Sequence, residues 1–220
     1  MASRLCHDLV GPLGAINAGL EMAGEASAAG AADADALALA AKSADQLTRK
    51  LTFLRVAFGA GASGGHDPLA EARALSEKLL AGGPVQLDWT LTADGIGASP
   101  EVAPKAGLLA KLALNMVLIG AEALARGGVM RVGAPPAAGG FALEVEASGA
   151  KVLLKDELAQ ALSAENGENP GSSGNLERIG ARAVQGFFCR RLAATLGGGL
   201  EMAREEGRLA LWAGPFLLTS

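Results

Sequence analysis

The sequence has no tyrosine and only two cysteines, two histidines, two tryptophans and six phenylalanines among its 220 residues. Half of the residues are hydrophobic, but alanine supplies much of that half, and 31 glycines stand beside it. Such a bias, typical of GC-rich coding sequences, blurs hydrophobic periodicity. A surplus of positive charge is also missing: the net charge of −4 argues against nucleic acid as the main partner. Cys6 and Cys189 lie far apart with no secretory leader ahead of them, so they read as reduced thiols of a cytoplasmic protein. No stretch approaches the ~18 uninterrupted apolar residues of a membrane span. The nearest, Ala106 to Ala125, is broken by Lys111, Asn115 and Glu122. The length suits one large domain or a pair of small ones, with enough chain to bury a core.

One stretch stands out against this background: His7-Asp8-Leu9-Val10-Gly11-Pro12. On a helix turning about 100° per residue, Leu5, Leu9, Pro12, Leu13, Ile16 and Leu20 fall within roughly 60° of the point opposite His7. Ser3, Arg4, Val10, Gly11, Gly14, Ala18 and Glu21 fall within roughly 60° of His7 itself. The histidine therefore faces away from the apolar stripe, on a side nearly bare of bulk, where another molecule could reach it. A lone exposed histidine on an amphipathic helix usually does nothing. Here, however, Gly11 and Gly14 each weaken a helix by about 1 kcal/mol relative to alanine. Pro12 costs a further ~3 kcal/mol wherever a helix runs through it. Costs of this size around one histidine point to a site.

The first helix is expected from about Ala2 to Ala26 and a second from an Asp33 or Asp35 cap to Phe58. In the second, Leu37, Ala40, Ala44, Leu47, Leu51, Leu54 and Phe58 repeat at alternating spacings of three and four, a heptad seam. Two antiparallel helices with one stripe each cannot enclose a core alone. A homodimeric four-helix bundle, with Leu5, Leu9, Ile16, Leu20, Leu47, Leu51 and Leu54 at its centre, is the economical solution. The alternative is a hairpin packed on the rest of its own chain. Antiparallel pairing would bring Arg49, Lys50, Phe53 and Arg55 near His7, either as a solvated surface or as a basic, aromatic rim for an acidic partner.

Residues 60–67, glycine-rich and without period, read as a linker between a hairpin domain (1–59) and a second domain (68–220). His66 lies in the linker with no partner in view and reads as incidental. Beyond it the patterning predicts a helix from Pro68 to Ala81 capped by Asp67, a strand from Val85 to Leu91, and a long helix from Pro100 to Arg126. A hairpin of strands Val129–Ala134 and Phe141–Ala147 follows, then a short helix, Lys155–Ser163, and a loop over 164–174. A helix over Ile179–Leu196 and two strands, Leu200–Glu205 and Arg208–Leu218, complete the chain. The fold class is α+β: a helical hairpin followed by an α/β sandwich with helices on one face of a mixed sheet.

Leu5-Cys6-His7-Asp8-Leu9-Val10-Gly11-Pro12-Leu13-Gly14-Ala15-Ile16-Asn17 resembles the H-box of sensor-kinase dimerisation and phosphotransfer domains. The chain as a whole looks most like the ChpT-type histidine phosphotransferases, which join a kinase-like dimerisation hairpin to a degenerate ATPase-like domain of the GHKL fold. Helix one is expected to begin earlier in that family than this chain allows. A kinase ATP domain needs an Asn-bearing helix for Mg²⁺, a D-x-G-x-G loop for adenine and a glycine-rich lid. Asn115 occupies the first position, but Lys111 replaces the expected Glu. Ser148-Gly149-Ala150-Lys151 carries no Asp where the adenine loop would be. Before the last helix, Ala183-Val184-Gln185-Gly186-Phe187-Phe188 puts bulk where backbone must approach phosphate. No bound nucleotide, cofactor or metal is expected in this chain.

A neutral imidazole can attack an aspartyl phosphate at neutral pH, and the resemblance makes His7 that phosphoacceptor. Asp8 would orient the ring or pair with a receiver lysine, unless it is a solvated carboxylate. Ser3, Arg4, Gly11, Pro12, Gly14, Ala18, Arg49, Lys50 and Phe53 would form the partner surface. Mg²⁺ would come with the receiver domain. The implied donor is the receiver of a hybrid sensor kinase, and the implied acceptors are CtrA-like and CpdR-like response regulators of the cell cycle. Competing readings are a non-catalytic regulator-binding module and an active kinase with an unusual ATP site.

Overall fold

The computed structural model describes residues 2–28, 33–59, 67–94, 96, 105–163 and 181–217; the side chains described on the first helix begin at Leu9. Two long helices, α1 (Ala2–Ala28) and α2 (Ala34–Phe58), form an antiparallel hairpin. Asp33 caps α2, its carboxylate accepting from the Ala36 amide at 2.9 Å. The helices touch where α1 has no side chain: a Cβ on Gly19 would stand 2.7 Å from the Ala36 carbonyl oxygen. Helix α1 continues through Pro12 despite the lost hydrogen bond.

Asp67 opens α3 (Pro68–Leu80), accepting from the Leu69 and Ala70 amides, with Pro68 at the first turn where its missing N–H costs nothing. Then come β1 (Val85–Trp89), α4 (Ala106–Ala123), β2 (Gly128–Gly133), β3 (Pro136–Ala137), β4 (Gly140–Ser148), α5 (Asp156–Ser163), α6 (Ala181–Thr195), β5 (Gly199–Glu205) and β6 (Arg208–Leu217). The sheet order is β1-β2-β4-β6-β5, with β3 added to β4. Among the described strands only β1 and β2 run parallel; Val85 pairs with Gly128 and Trp89 with Val132. All other pairings are antiparallel.

The patterning places these elements within a few residues, with two differences. Helix α4 ends at Ala123, three residues before the expected Arg126; residues 97–104 and the expected loop at 164–174 lie outside the described residues, as does most of the expected linker. The turn expected at 135–140 includes the short strand β3. The stretch Ala183–Phe188, compared above with a lid, lies inside α6, within the helix expected over Ile179–Leu196.

Helix α4 is the centre of the molecule: Leu112 to Gly120 are all buried. It lies against the sheet face carrying Met130, Val132, Leu143, Val145, Leu209, Leu211 and Ala213. Its apolar length would suit a membrane, but two thirds of it is buried inside the fold. The opposite sheet face carries charge. Glu146, 15% exposed, bridges Arg131 at 3.0 Å and Arg208, and Trp212 donates its indole N–H to Glu144 at 2.6 Å. The Arg208 guanidinium is held charged even beyond its usual range by its hydrogen bond to Glu146 and the attraction between them. Alternation along β4 therefore places apolar residues under α4 and carboxylates outside.

Candidate functional site

His7 and Asp8 lie in the second turn of α1. Gly11, Gly14 and Ala18 follow on the same face at helical spacing. All three are exposed, and a Cβ built on Gly11 or Gly14 would meet nothing within 4 Å. Below the histidine the helix is open on that side. The pairing of Gly19 with Ala36 and Ala40 fixes the antiparallel register, which runs the C-terminal half of α2 back beside the start of α1.

Pro12, half-buried, lines a groove of about 530 Å³ between the hairpin and the sheet unit. Gln46, Arg49 and Lys50 of α2 form one wall; Lys78 to Val85, with Glu122 and its neighbours on α4, form the other. Pro12 is five residues from His7, so the groove begins about 7.5 Å along the helix axis from it. Arg49, Lys50 and Lys78 give the groove a surplus of positive charge over Glu122. Arg49 also pairs with Asp45 one turn earlier. The turn out of α3 passes through Gly82 at φ +73°, a conformation that favours glycine and keeps this wall free of bulk.

Of the expected partner surface, the structure brings Pro12, Arg49 and Lys50 together in the groove and leaves Gly11, Gly14 and Ala18 exposed on a different face of α1. Ser3 and Arg4 lie on α1 among the residues whose side chains are not described. Phe53 is a correction: it is fully buried among Ala57, Leu69, Leu112 and other core residues, not on a rim. Leu54, expected at a dimer centre, is likewise 7% exposed within that same core. The reason for both is that the last two turns of α2 pack on α3 and α4, so the side facing the sheet unit takes the large apolar residues. The alternative of a hairpin packed on its own chain is thus realised at that end.

The rest of the hairpin is different. The side of α2 turned to α1 carries Ala36, Ala40 and Ser43, all buried; Ala40 belongs to the expected heptad, while Ala36 and Ser43 stand one position before Leu37 and Ala44. Leu37 and Leu51 remain exposed, as do Leu13, Leu20 and Val10 of α1, while Leu9, Ile16 and Leu47 are half-buried.

Asn115 and Lys111 are committed elsewhere. Asn115 is fully buried and donates its side-chain N–H groups to the Ala57 and Lys111 carbonyls, both at 2.9 Å. Its Oδ1 has no partner. The Lys111 ammonium donates to the Gly59 carbonyl at 2.5 Å. Gln185 donates to the Asn115 carbonyl at 3.1 Å, and Phe188 of the same helix packs its ring against Phe58 at 5.8 Å. Gly186 is required by contact: a Cβ there would sit 2.8 Å from that of Ala161 on α5. The residues at these positions hold helices α2, α4, α5 and α6 together.

Groove residues missed from sequence are Gln46, Lys78, the Gly82 turn and Glu122. Nothing local marks them; they reach the site through packing of distant segments.

A helical hairpin set on a mixed sheet backed by helices is the architecture of histidine kinases. A histidine kinase ThkA, solved in complex with the response regulator protein TrrA, superposes over 96% of this chain and 59% of its own, with a TM-score of 0.50 at 14% identity. At that identity the likeness is one of fold. Residues 69–208 match the model of the histidine phosphotransferase C-terminal domain, and the chain belongs to that family. A stretch of 133 residues, 60% of this chain, is 37% identical to the protein phosphotransferase ChpT of Brucella abortus (strain 2308). The match spans 57% of that relative's length. The solved structure of a bacterial phosphotransferase aligns over 97% of this chain and 93% of its own, with a TM-score of 0.69 and 26% identity.

Proposed function

We propose that this chain is the histidine phosphotransferase of a two-component phosphorelay. His7 takes phosphoryl from the aspartyl phosphate of one receiver domain, by resemblance that of a hybrid sensor kinase, and passes it to response regulators, CtrA-like and CpdR-like by resemblance. The observation that carries this reading is the open face of α1 below His7, where Gly11, Gly14 and Ala18 are exposed; a basic groove walled by both the hairpin and the sheet unit begins at Pro12 on another side of the same helix.

The chemistry needs little from the chain beyond presentation. A ring nitrogen of neutral His7 attacks phosphorus in line as the bond to the aspartate oxygen breaks, and the aspartate leaves as carboxylate. The ring holds the resulting charge on its other N–H nitrogen, and the phosphoramidate is labile enough to pass the group on. Asp8 orients the ring or meets a receiver lysine. The receiver brings the Mg²⁺.

The phosphate is read as always arriving from another protein, not from ATP. Support comes from Asn115, whose N–H groups are taken by backbone carbonyls, and from the helical packing of Val184 to Phe188. Exposed Leu13, Leu20, Leu37 and Leu51 support a homodimer in which two hairpins form a four-helix bundle in the cytoplasm.

The test is transfer from a receiver domain loaded on its aspartate with radiolabelled acetyl phosphate. The native chain becomes labelled, and His7→Gln abolishes the label while the dimer survives. Label persisting in His7→Gln overturns the assignment. Receiver binding that ignores phosphorylation, with no label on His7, makes the chain a non-catalytic binding module. Self-labelling with ATP and Mg²⁺ makes it a kinase.

A further inference from the structure

We infer that Lys111 and Asn115 are positioning residues for phosphotransfer: from α4 they cap the end of α2, hold the hairpin at a fixed angle to the sheet unit, and keep the two walls of the receiver groove in register. The inference rests on the phosphorelay reading above.

Among the described residues, the last turn of α2 is closed from within its own helix end only by the Gly59 amide on the Arg55 carbonyl. Its last residue before the cap is Phe58, and Gly59 follows in an extended conformation (φ −66°, ψ 159°). A glycine at this position commonly turns left-handed, so that following amides return to the orphan carbonyls of the last turn. Gly59 does not; its own amide closes only on the Arg55 carbonyl. The carbonyls of Ala57 and Gly59 are answered instead by Asn115 and Lys111, which lie 58 and 52 residues further along the chain. An ammonium at a helix C-terminus also meets the negative end of the helix dipole. The cap is therefore an inter-unit bond by construction.

The surroundings reinforce it. Ala57 and Phe53 are fully buried against the sheet unit, and Phe58 meets Phe188 of α6. Gln185 of α6 bonds the backbone of Asn115 itself, so α2, α4 and α6 meet at one residue. A buried Oδ1 left without a partner is a cost that a purely structural core position would shed by becoming leucine. The groove lies on the two bodies that this joint connects. Arg49 and Lys50 sit on α2, up to ten residues before its capped end, and Lys78 and Glu122 sit on the other body. A receiver docking on both walls meets the right geometry only while the joint holds. If the joint loosens, the apparent affinity falls by the fraction of time it is competent. The chemistry at His7, on the hairpin alone, is unchanged.

The experiment measures transfer from the same acetyl-phosphate-loaded receiver to the full chain, over a range of receiver concentrations. Lys111 is half-buried, so Lys111→Met keeps the stem and removes only the cation and its donor groups. The expected result is a rise in the half-saturating receiver concentration of about tenfold, equivalent to about 1.4 kcal/mol, with the plateau rate unchanged. Lys111→Arg, which restores a cation at the helix end, returns it toward the native value. Asn115→Leu, packing the same space without donors, shifts it in the same direction as Lys111→Met. Amide exchange over Val56 to Gly59 accelerates in both weakened variants. An unchanged half-saturation despite faster exchange overturns the inference, as does a lowered plateau with unchanged half-saturation. Absence of label from the unsubstituted chain would instead overturn the phosphorelay reading.

Discussion

Gly11 and Gly14 are exposed helix positions that alanine would fill at no steric cost, since nothing lies within 4 Å of a Cβ at either. Gly14→Ala is expected to stabilise the chain by up to about 1 kcal/mol, seen as a raised unfolding midpoint in urea. Gly14→Trp is expected to leave folding intact and to cut transfer from the receiver severalfold, because the ring occupies the space beneath His7. If Gly14→Trp transfers like the native chain, the open face is not the docking face. Gly186 is the contrasting glycine. Its α-hydrogen faces the Ala161 Cβ and the α5 backbone, so Gly186→Val is expected to cost about 1–3 kcal/mol through overpacking, read from equilibrium unfolding.

Helix by helix, the hairpin divides into a half that serves the chain and a half that is left over. The end of α2 joins the core through Phe53, Leu54 and Ala57, whereas Leu37 and Leu51, like Leu13 and Leu20 of α1, are exposed. Leu51→Glu is expected to halve the molecular mass seen by light scattering without unfolding the chain, because the residue is 46% exposed within one copy. A native chain that already sediments as a monomer would sink the four-helix-bundle reading. Helix α4 behaves oppositely: Leu112 is fully buried, and Leu112→Ala is expected to cost about 2–5 kcal/mol in chemical denaturation. The last turn of α2 is the element most dependent on others, since its carbonyls are capped from α4.

Across the whole molecule charge is arranged by face, not by net value. The chain is acidic overall, yet Arg49, Lys50 and Lys78 converge on the groove, and the outer sheet face pairs its arginines with Glu146. A local positive patch steers an acidic partner, and salt screens that steering over about 8–10 Å. Lys78→Glu is expected to slow transfer at low receiver concentration, with the deficit shrinking as ionic strength rises. Stopped transfer reactions at low and high salt check it, and a salt-independent deficit would place Lys78 outside the encounter surface.

Much of this was determined by the sequence alone. Local chemistry decided the elements: Asp33 and Asp67 carry short carboxylates that suit helix starts, strict alternation marks the strands, and Gly-Gly pairs mark the breaks. The phosphoacceptor candidate was also legible, because His7 and its glycines sit within two turns of one helix. What only tertiary structure decided depends on surfaces brought together from afar. Phe53 and Leu54 have the same periodicity whether they face a dimer, a partner or their own core, and only the approach of α4 settles it. Lys78 and Glu122 enter the groove through packing across many tens of residues. Asn115 looked like a remnant of a nucleotide site, and its amide became a helix cap only once α2 ended beside it. A helical wheel orders residues around one axis; which side meets water, a partner or the chain itself is fixed by the neighbours that fold against it.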